Sequence, residues 1–485
     1  MKIKDLEPYL VWEIFDRITQ IPRPSKKEGK IVEFLLDFAQ VHHLAAEKDE
    51  ALNVIIRKPA TPGMENRQTV ILQSHVDMVC EKNNDVPFNF DTDPIQTCID
   101  GDWVKAKGTT LGGDDGIGMA AALAILASDD VAHAPIVALF TTDEETGLNG
   151  ANALNQNFLQ GDILLNLDSE EWGEFCIGCA GGKNTIGEFG YQTVPAPQDY
   201  YWFDLNISKL KGGHSGSDIH KGLGNANQVV ARYLHSLMSE GQVALARIDG
   251  GNLHNAIARE ASATVGIPAH LKEKAVVNLN LLQAALMNEL PLEDREFQLQ
   301  IQSAEAPQEV IDFQTSDRLI LALCAMPHGV IGWSVDMPGT VETSTNLASV
   351  KMKEGKVIAV TTSQRSSTAS AKDDIVNRVH AVFQLAGAKA QSSTGYPGWK
   401  PNPQSPILQI AQQIYTRQTD EQPNIISIHA GLECGLFLER NPHLDMISCG
   451  PTILGAHSPK ERLQIASVAK WWKFLTELLQ NIPVR

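Results

Sequence analysis

Three short apolar runs, each ending in side chains that bind metals, constrain this chain more than any other feature. Residues 69–74 deliver His75-Val76-Asp77, residues 135–140 deliver Thr141-Thr142-Asp143-Glu144-Glu145, and residues 162–167 deliver Asp168. Residues 135–140 have the length and continuous apolarity of a strand buried on both faces, and 69–74 and 162–167 read as further strands. Helix-like segments alternate with them, the pattern of a doubly wound α/β domain. In open α/β sheets ligands bind at the carboxyl edge of the strands, and these residues all fall at that edge. Adjacent side chains at a strand end point to different sides. One of Glu144 and Glu145 can therefore hold a cation while the other handles protons. A solvated turn accounts for any one of these acids; the three strand ends together favour a metal-binding edge.

A fourth acidic position lies in Lys107-Gly108-Thr109-Thr110-Leu111-Gly112-Gly113-Asp114-Asp115-Gly116, ahead of a helix (117–126) that is apolar almost all round. Capping needs one acid, and two stand here. The glycines would suit a phosphate cradle, but two carboxylates inside it would repel phosphate. His75 and Asp77, at i and i+2, share one face of an extended segment. Asp77 is thus able to accept the second ring N–H of a metal-bound His75, although taken alone the pair reads first as a surface feature. Upstream, 8–18 has helical apolar spacing, and Ser25 with Glu28 reads as a capping box for a helix through 31–36. Residues 52–57 read as a strand.

The style of the chain changes around Gly181-Gly182-Lys183. Residues 202–208 alternate as a strand buried on one face. Gly212-Gly213-His214-Ser215-Gly216 and Asn225-Ala226-Asn227 lead into a helix at 228–238, and 262–267 and 356–361 are strand-like. At 485 residues the chain is too long for one ordinary core. The expected organisation is a catalytic domain over 1–184 and 398–485, with an α+β domain inserted at 185–397. Gly395-Tyr396-Pro397-Gly398-Trp399 reads as the return linker. The α/β style then resumes, with a strand at 424–428 leading into His429-Ala430-Gly431-Leu432-Glu433 and one at 445–450 leading towards His457-Ser458-Pro459. An amphipathic helix over 466–479 closes the chain.

Composition excludes several function classes. A net charge of −18 disfavours nucleic acid and anionic membrane as partners. No run approaches the ~20 apolar residues of a membrane span, and no leader-like segment stands at Met1-Lys2-Ile3-Lys4. Seven scattered cysteines suit a reducing cytoplasm. Cys176-Ile177-Gly178-Cys179 has no second pair to complete a tetrahedral site and reads as strand filler.

Taken jointly, His75-x-Asp77, Asp114, Glu144-Glu145, Asp168 and His457-Ser-Pro resemble the co-catalytic di-zinc peptidase and deacylase superfamily. Within it the chain is similar to the aminoacyl-histidine dipeptidases, the carnosine-cleaving type. Asn53-Val-Ile-Ile-Arg-Lys-Pro-Ala, Lys82-Asn-Asn-Asp, Gly178-Cys-Ala-Gly-Gly, Tyr396-Pro-Gly-Trp and His429-Ala-Gly-Leu-Glu-Cys-Gly-Leu-Phe carry that likeness, which runs from near residue 8 to the C-terminus. The fold implied is a mixed-sheet α/β catalytic domain with an inserted α+β lid. His75 and Asp168 are implied to hold one Zn2+ and Glu145 and His457 the other, with Co2+ or Mn2+ as substitutes. Asp114 is implied as the bridge, Glu144 as general base and Asp77 as the residue orienting His75. Asp115, where relatives commonly have Asn, leaves two adjacent acids, and register with Gly116 favours Asp114 as the bridge. His214 matches a lid histidine that contacts the developing oxyanion. Asn255, Arg365 and Glu433 match substrate-binding stretches, Arg365 for the free carboxylate. Ala258 stands where a proline is often found.

The chemistry is consistent with that likeness. His and carboxylate are ordinary zinc ligands, and a two-metal site lowers the pKa of water from 15.7 to about 7. The expected activity is hydrolysis of Xaa-His and other unblocked dipeptides in the cytoplasm. The alternatives are a di-zinc N-acyl amino acid deacylase and a non-catalytic metal- or peptide-binding protein. The expected partner is a small peptide, with a homodimer through the lid implied by the resemblance. The inserted segment is also long enough for a doubled lid that supplies His214 within one chain.

Overall fold

The computed structural model describes residues 2–485, and the chain divides into two compact units. The first comprises Met1–Cys179, Pro401–Ser427 and Leu432–Arg485; the second comprises Ala180–Lys400 and Ile428–Gly431.

The first unit is built on a mixed sheet of eight strands among the described residues. Val70–His75 runs parallel to both Ile136–Thr141 and Ile163–Asn166, and Asp445–Ser448 continues the parallel set. Every residue of the first three is buried, which is why each opens on consecutive apolar residues, 70–72, 136–140 and 163–165, rather than alternating ones. Antiparallel strands flank them: Val54–Lys58 beside Ile136–Thr141, and Glu174–Cys179 beside Asp445–Ser448. The register pairs His75 with Thr141 and Gln73 with Asn166. His75, the turn after Thr141 and the segment after Asn166 therefore leave the sheet at one edge.

The helix Gly113–Ala127 is buried from Gly113 to Leu126, as its near-uniform apolarity requires. Its first turn is irregular at Asp114 and Asp115, whose connecting peptide is cis. The closing helix Ile465–Gln480 buries Trp471, Phe474 and Leu478, and Phe474 stacks on Phe175 with ring centroids 5.1 Å apart.

The capping box expected at Ser25 and Glu28 does not form. Glu28 itself is the N-cap of Gly29–Val41 and makes no side-chain cap. Ser25 Oγ donates instead to Asp77 (2.8 Å), and Glu28 accepts the backbone N–H groups of Lys26 (2.7 Å) and Asp143 (3.0 Å). Distant polar partners outcompete the local cap for both side chains.

The second unit carries a nine-stranded sheet among the described residues, antiparallel where its strands pair. Helices Ala226–Met238, Lys272–Glu289, Phe313–Ala325 and Ala369–Leu385 supply Val230, Leu279, Leu319 and Phe383 to a core that also takes in Phe203, Val265 and Leu347. This unit begins before residue 185 because Gly181 already pairs with Ser366, and Gly182 exchanges backbone bonds with Tyr396. The short segment Ile428–Gly431 belongs to it as well. Ala180 N–H reaches Ile428 O and Ala430 O, and His429 Nε2 lies 2.7 Å from Ser344 Oγ.

Candidate metal centre

Two histidines face one carboxylate at the sheet edge of the first unit. His75 Nε2 lies 3.0 Å from Asp114 Oδ1, and His457 Nε2 lies 3.0 Å from Asp114 Oδ2. Asp168 Oδ1 approaches His75 Nε2 at 3.5 Å, and Glu145 Oε2 approaches His457 Nε2 at 3.2 Å. The donors thus sort into His75 with Asp168 and His457 with Glu145, and Asp114 offers one oxygen to each. Ligand atoms of His75, Asp114 and Glu145 also lie within 4.8 Å of one another.

The fold fixes this set from several directions. His75 is the last residue of a fully buried strand and Asp168 follows the end of another. Glu144 and Glu145 sit in the turn after Ile136–Thr141, where Asp77 organises them. Its Oδ1 accepts Glu144 N–H (3.1 Å) and its Oδ2 accepts Glu145 N–H (3.2 Å). The same carboxylate lies 3.5 Å from His75 Nδ1. Asp115 does not join the donors: its Oδ1 accepts the N–H of Gly118 at 3.2 Å, a cap of the helix that follows. Glu28, Asp77 and Asp143 form a second acidic group. Glu28 and Asp77 there bind backbone N–H groups of the same turn, so their role is to shape it.

Packing this many carboxylates together has electrostatic consequences. Burial opposes protonation of His75, but Asp168, Asp114 and Asp77 outweigh it and raise the pKa well above the ordinary value. Hydrogen bonds to Asp114 and Glu145 push His457 up to about 11. Burial pushes Asp168 up to about 7 against the pull of His75. Glu144 is raised well above the usual carboxylate range, chiefly by burial, with the charges of Asp168, Glu433 and Glu145 adding to it. Such an excess of anionic oxygen is what a divalent cation offsets. Glu145 Oε1 and His75 Nδ1 are moreover buried without a hydrogen-bond partner. Oxygen and imidazole donors in this number fit two divalent cations.

The second unit carries His214, Asn255 and Arg365. His214 pairs with Ala256 across a short ladder, and Asn255 O accepts Ser215 N–H at 2.8 Å. His214 Nδ1 accepts the N–H groups of Gly216 (3.3 Å) and Ser217 (3.1 Å), which leaves the proton on Nε2. Burial and the Arg365 charge lower its pKa. Arg365 is 7% exposed; one of its nitrogens donates to Tyr396 Oη (3.1 Å) and its Nε has no partner. Glu433 belongs to the first unit. Its Oε2 accepts from Gln73 (2.6 Å) and Thr141 (2.8 Å), its Oε1 is unpartnered, and burial raises its pKa to about 8.

Two charged residues that sequence reading passed over are buried beside the Asp114 loop. Arg23 is 2% exposed and donates to the carbonyls of Val76, Asp77 and Gly112. Glu461 is equally covered and accepts backbone N–H groups of 111–114. The signal available in the sequence was the adjacent pair Gly112-Gly113, whose missing side chains leave room for the two charges. A Cβ on Gly112, at φ 69°, would lie 2.5 Å from the Arg23 guanidinium.

The chain matches the model of Peptidase family M20/M25/M40 over residues 71–481. It is 44% identical over 484 residues to the cytosol non-specific dipeptidase of Escherichia coli (strain K12), covering 100% of both chains. The crystal structure of aminoacylhistidine dipeptidase from Vibrio alginolyticus matches with a TM-score of 0.95 at 42% identity, over 100% of this chain and 99% of that one. Aminopeptidase PepT from Bacillus cereus shares the fold, with a TM-score of 0.57 at 14% identity over 98% and 99% of the two chains. The span 71–481 takes in every donor from His75 to His457, and the chain belongs to peptidase family M20/M25/M40.

Proposed function

We propose that this chain is a cytosolic two-zinc dipeptidase that hydrolyses Xaa-His and other unblocked dipeptides, with Glu144 as general base. The observation that carries the reading is Asp114, whose two oxygens each stand 3.0 Å from a different histidine Nε2. Full-length similarity to relatives named as dipeptidases supports the substrate class. His75 with Asp168 and His457 with Glu145 would hold the two ions, which supply Lewis acidity and bring the pKa of water to about 7.

The residues of the chain do the rest. Glu144, with a pKa raised by burial, takes the proton of the attacking water and passes it to the leaving amine. Asp77 holds the backbone of Glu144 and Glu145 so that the two carboxylates keep separate tasks. His214, fixed as the Nε2–H tautomer, donates to the developing oxyanion; loss of one such donor typically costs about 100–1,000-fold in rate. Arg365 binds the free carboxylate of a short peptide through its fork. Asn255 and Glu433 complete the substrate contacts, Glu433 through the oxygen left without a partner.

A dipeptide panel tests the reading. Purified protein should cleave β-alanyl-histidine and other dipeptides, lose that activity to chelator and regain it with zinc. Glu144→Gln should keep both ions and lose most turnover. Preferential cleavage of N-acetyl amino acids would make the protein a deacylase, and retained turnover in Glu144→Gln would remove that residue as the base.

A further inference from the structure

Glu461 makes no contact with His75, Asp168 or Glu145 in the geometry above, yet it touches the backbone of the bridge. One carboxylate oxygen accepts the N–H groups of Leu111 (2.7 Å) and Gly112 (3.0 Å), and the other accepts those of Gly113 (2.7 Å) and Asp114 (3.3 Å). Four consecutive amides thus converge on one buried carboxylate, which leaves no lone-pair direction for anything else. The same segment carries His457, four residues earlier. Glu461 N–H donates to Ser458 O (3.0 Å) and Ser458 Oγ donates to Gly455 O (2.7 Å), so His457 and Glu461 share one tight turn. On the other side of the loop, the buried Arg23 guanidinium collects the carbonyl of Gly112. The loop that bears Asp114 is therefore clamped between a buried anion that takes its N–H groups and a buried cation that takes a C=O.

We propose that Glu461 is a positioning residue of the two-metal site. It fixes the backbone of Asp114 to the turn that presents His457, and so sets the span between the bridging carboxylate and that histidine. The proposal rests on the two-metal reading above and adds a residue that holds no ion and meets no substrate. Residues that orient metal ligands from behind typically change metal affinity or activity by about 10–100-fold when altered.

The geometry dictates the variants. Glu461→Gln keeps the volume but turns an NH2 group towards two backbone N–H groups, so half of the clamp becomes donor against donor. Gly113→Ala leaves Glu461 in place but puts a Cβ 3.2 Å from its Oε1, a smaller displacement of the same contact. Apoprotein of each would be titrated with Co2+, following the visible spectrum of the bound ions, together with kcat, KM and the urea midpoint. Wild-type protein should bind two ions. Glu461→Gln should bind the first normally, bind the second about 10–100-fold more weakly, and lose kcat with KM little changed. Gly113→Ala should move the same readouts in the same direction by less, at a near-normal urea midpoint.

If wild-type protein binds fewer than two ions, the two-metal reading itself fails. If it binds two and Glu461→Gln does so with unchanged affinity, spectrum and kcat, the positioning role is overturned. Should Glu461→Gln not fold, Gly113→Ala decides: unchanged binding of the second ion and unchanged kcat would overturn the proposal.

Discussion

Asp77 carries more of the site than its place in a His-x-Asp pair indicates. Its carboxylate lies against His75 Nδ1 at 3.5 Å and accepts the N–H groups of Glu144 and Glu145, with Ser25 Oγ donating at 2.8 Å. These bonds and the neighbouring His75 outweigh burial and lower its pKa to about 2. An amide in its place would present an NH2 to one of those backbone donors and tilt the Glu144-Glu145 turn. Asp77→Asn should lower kcat by about 10–100-fold and weaken metal retention against chelator, with the protein still folded. Wild-type metal affinity and turnover in that variant would remove Asp77 from any part in the metal site. The approach of Asp77 to His75 was legible in the spacing, since i and i+2 share a face. The grip on the turn was not, because it depends on register with a strand that follows 60 residues later.

At the scale of elements, legibility tracked burial. The strands Val70–His75, Ile136–Thr141 and Ile163–Asn166 announce themselves because both faces are covered, so each opens on consecutive apolar residues. The helix Gly113–Ala127 does so for the same reason. Polar side chains with distant partners escaped. Ser25 and Glu28 have local capping chemistry but are taken by Asp77 and by the N–H of Asp143, while Arg23 and Glu461 are lone charges with no periodicity to mark them. His328 is a further case, between the helix Phe313–Ala325 and the strand Gly329–Trp333 of the second unit. Its Nδ1 accepts Leu347 N–H at 3.2 Å and so must remain unprotonated, and burial lowers its pKa to about 4 from 6.5. A folded-state pKa below the unfolded one gives stability that is complete above pH 6.5 and lost as pH falls towards 4. Acidification over that range should therefore cost up to about 3 kcal/mol through this group. Urea midpoints measured at pH 7 and pH 5 should fall for the wild type and fall less for His328→Gln. Equal slopes in the two proteins would show that His328 does not titrate on unfolding.

At the scale of the molecule, the expected metal donors are not shared evenly. His75, Asp114, Glu145, Asp168 and His457 all lie in the first unit, whereas the second has its own core around Phe203, Val265 and Leu347. An ion that binds only the folded form stabilises by RT ln(1 + [L]/Kd), about 2.7 kcal/mol at a hundredfold excess over Kd. That free energy belongs to the unit that supplies the ligands. Hydrogen exchange measured with zinc and after chelation should thus slow by about 100-fold for each ion held at that excess in Val70–His75 and Ile136–Thr141, where exchange needs the first unit to open. Tyr200–Ser208 and Ala261–Pro268, which pair with each other in the second unit, should exchange at nearly the same rate in both samples. Equal slowing in both sets of strands would mean that the two units open as one cooperative body, and no slowing in either would remove the metal from the donors at the sheet edge.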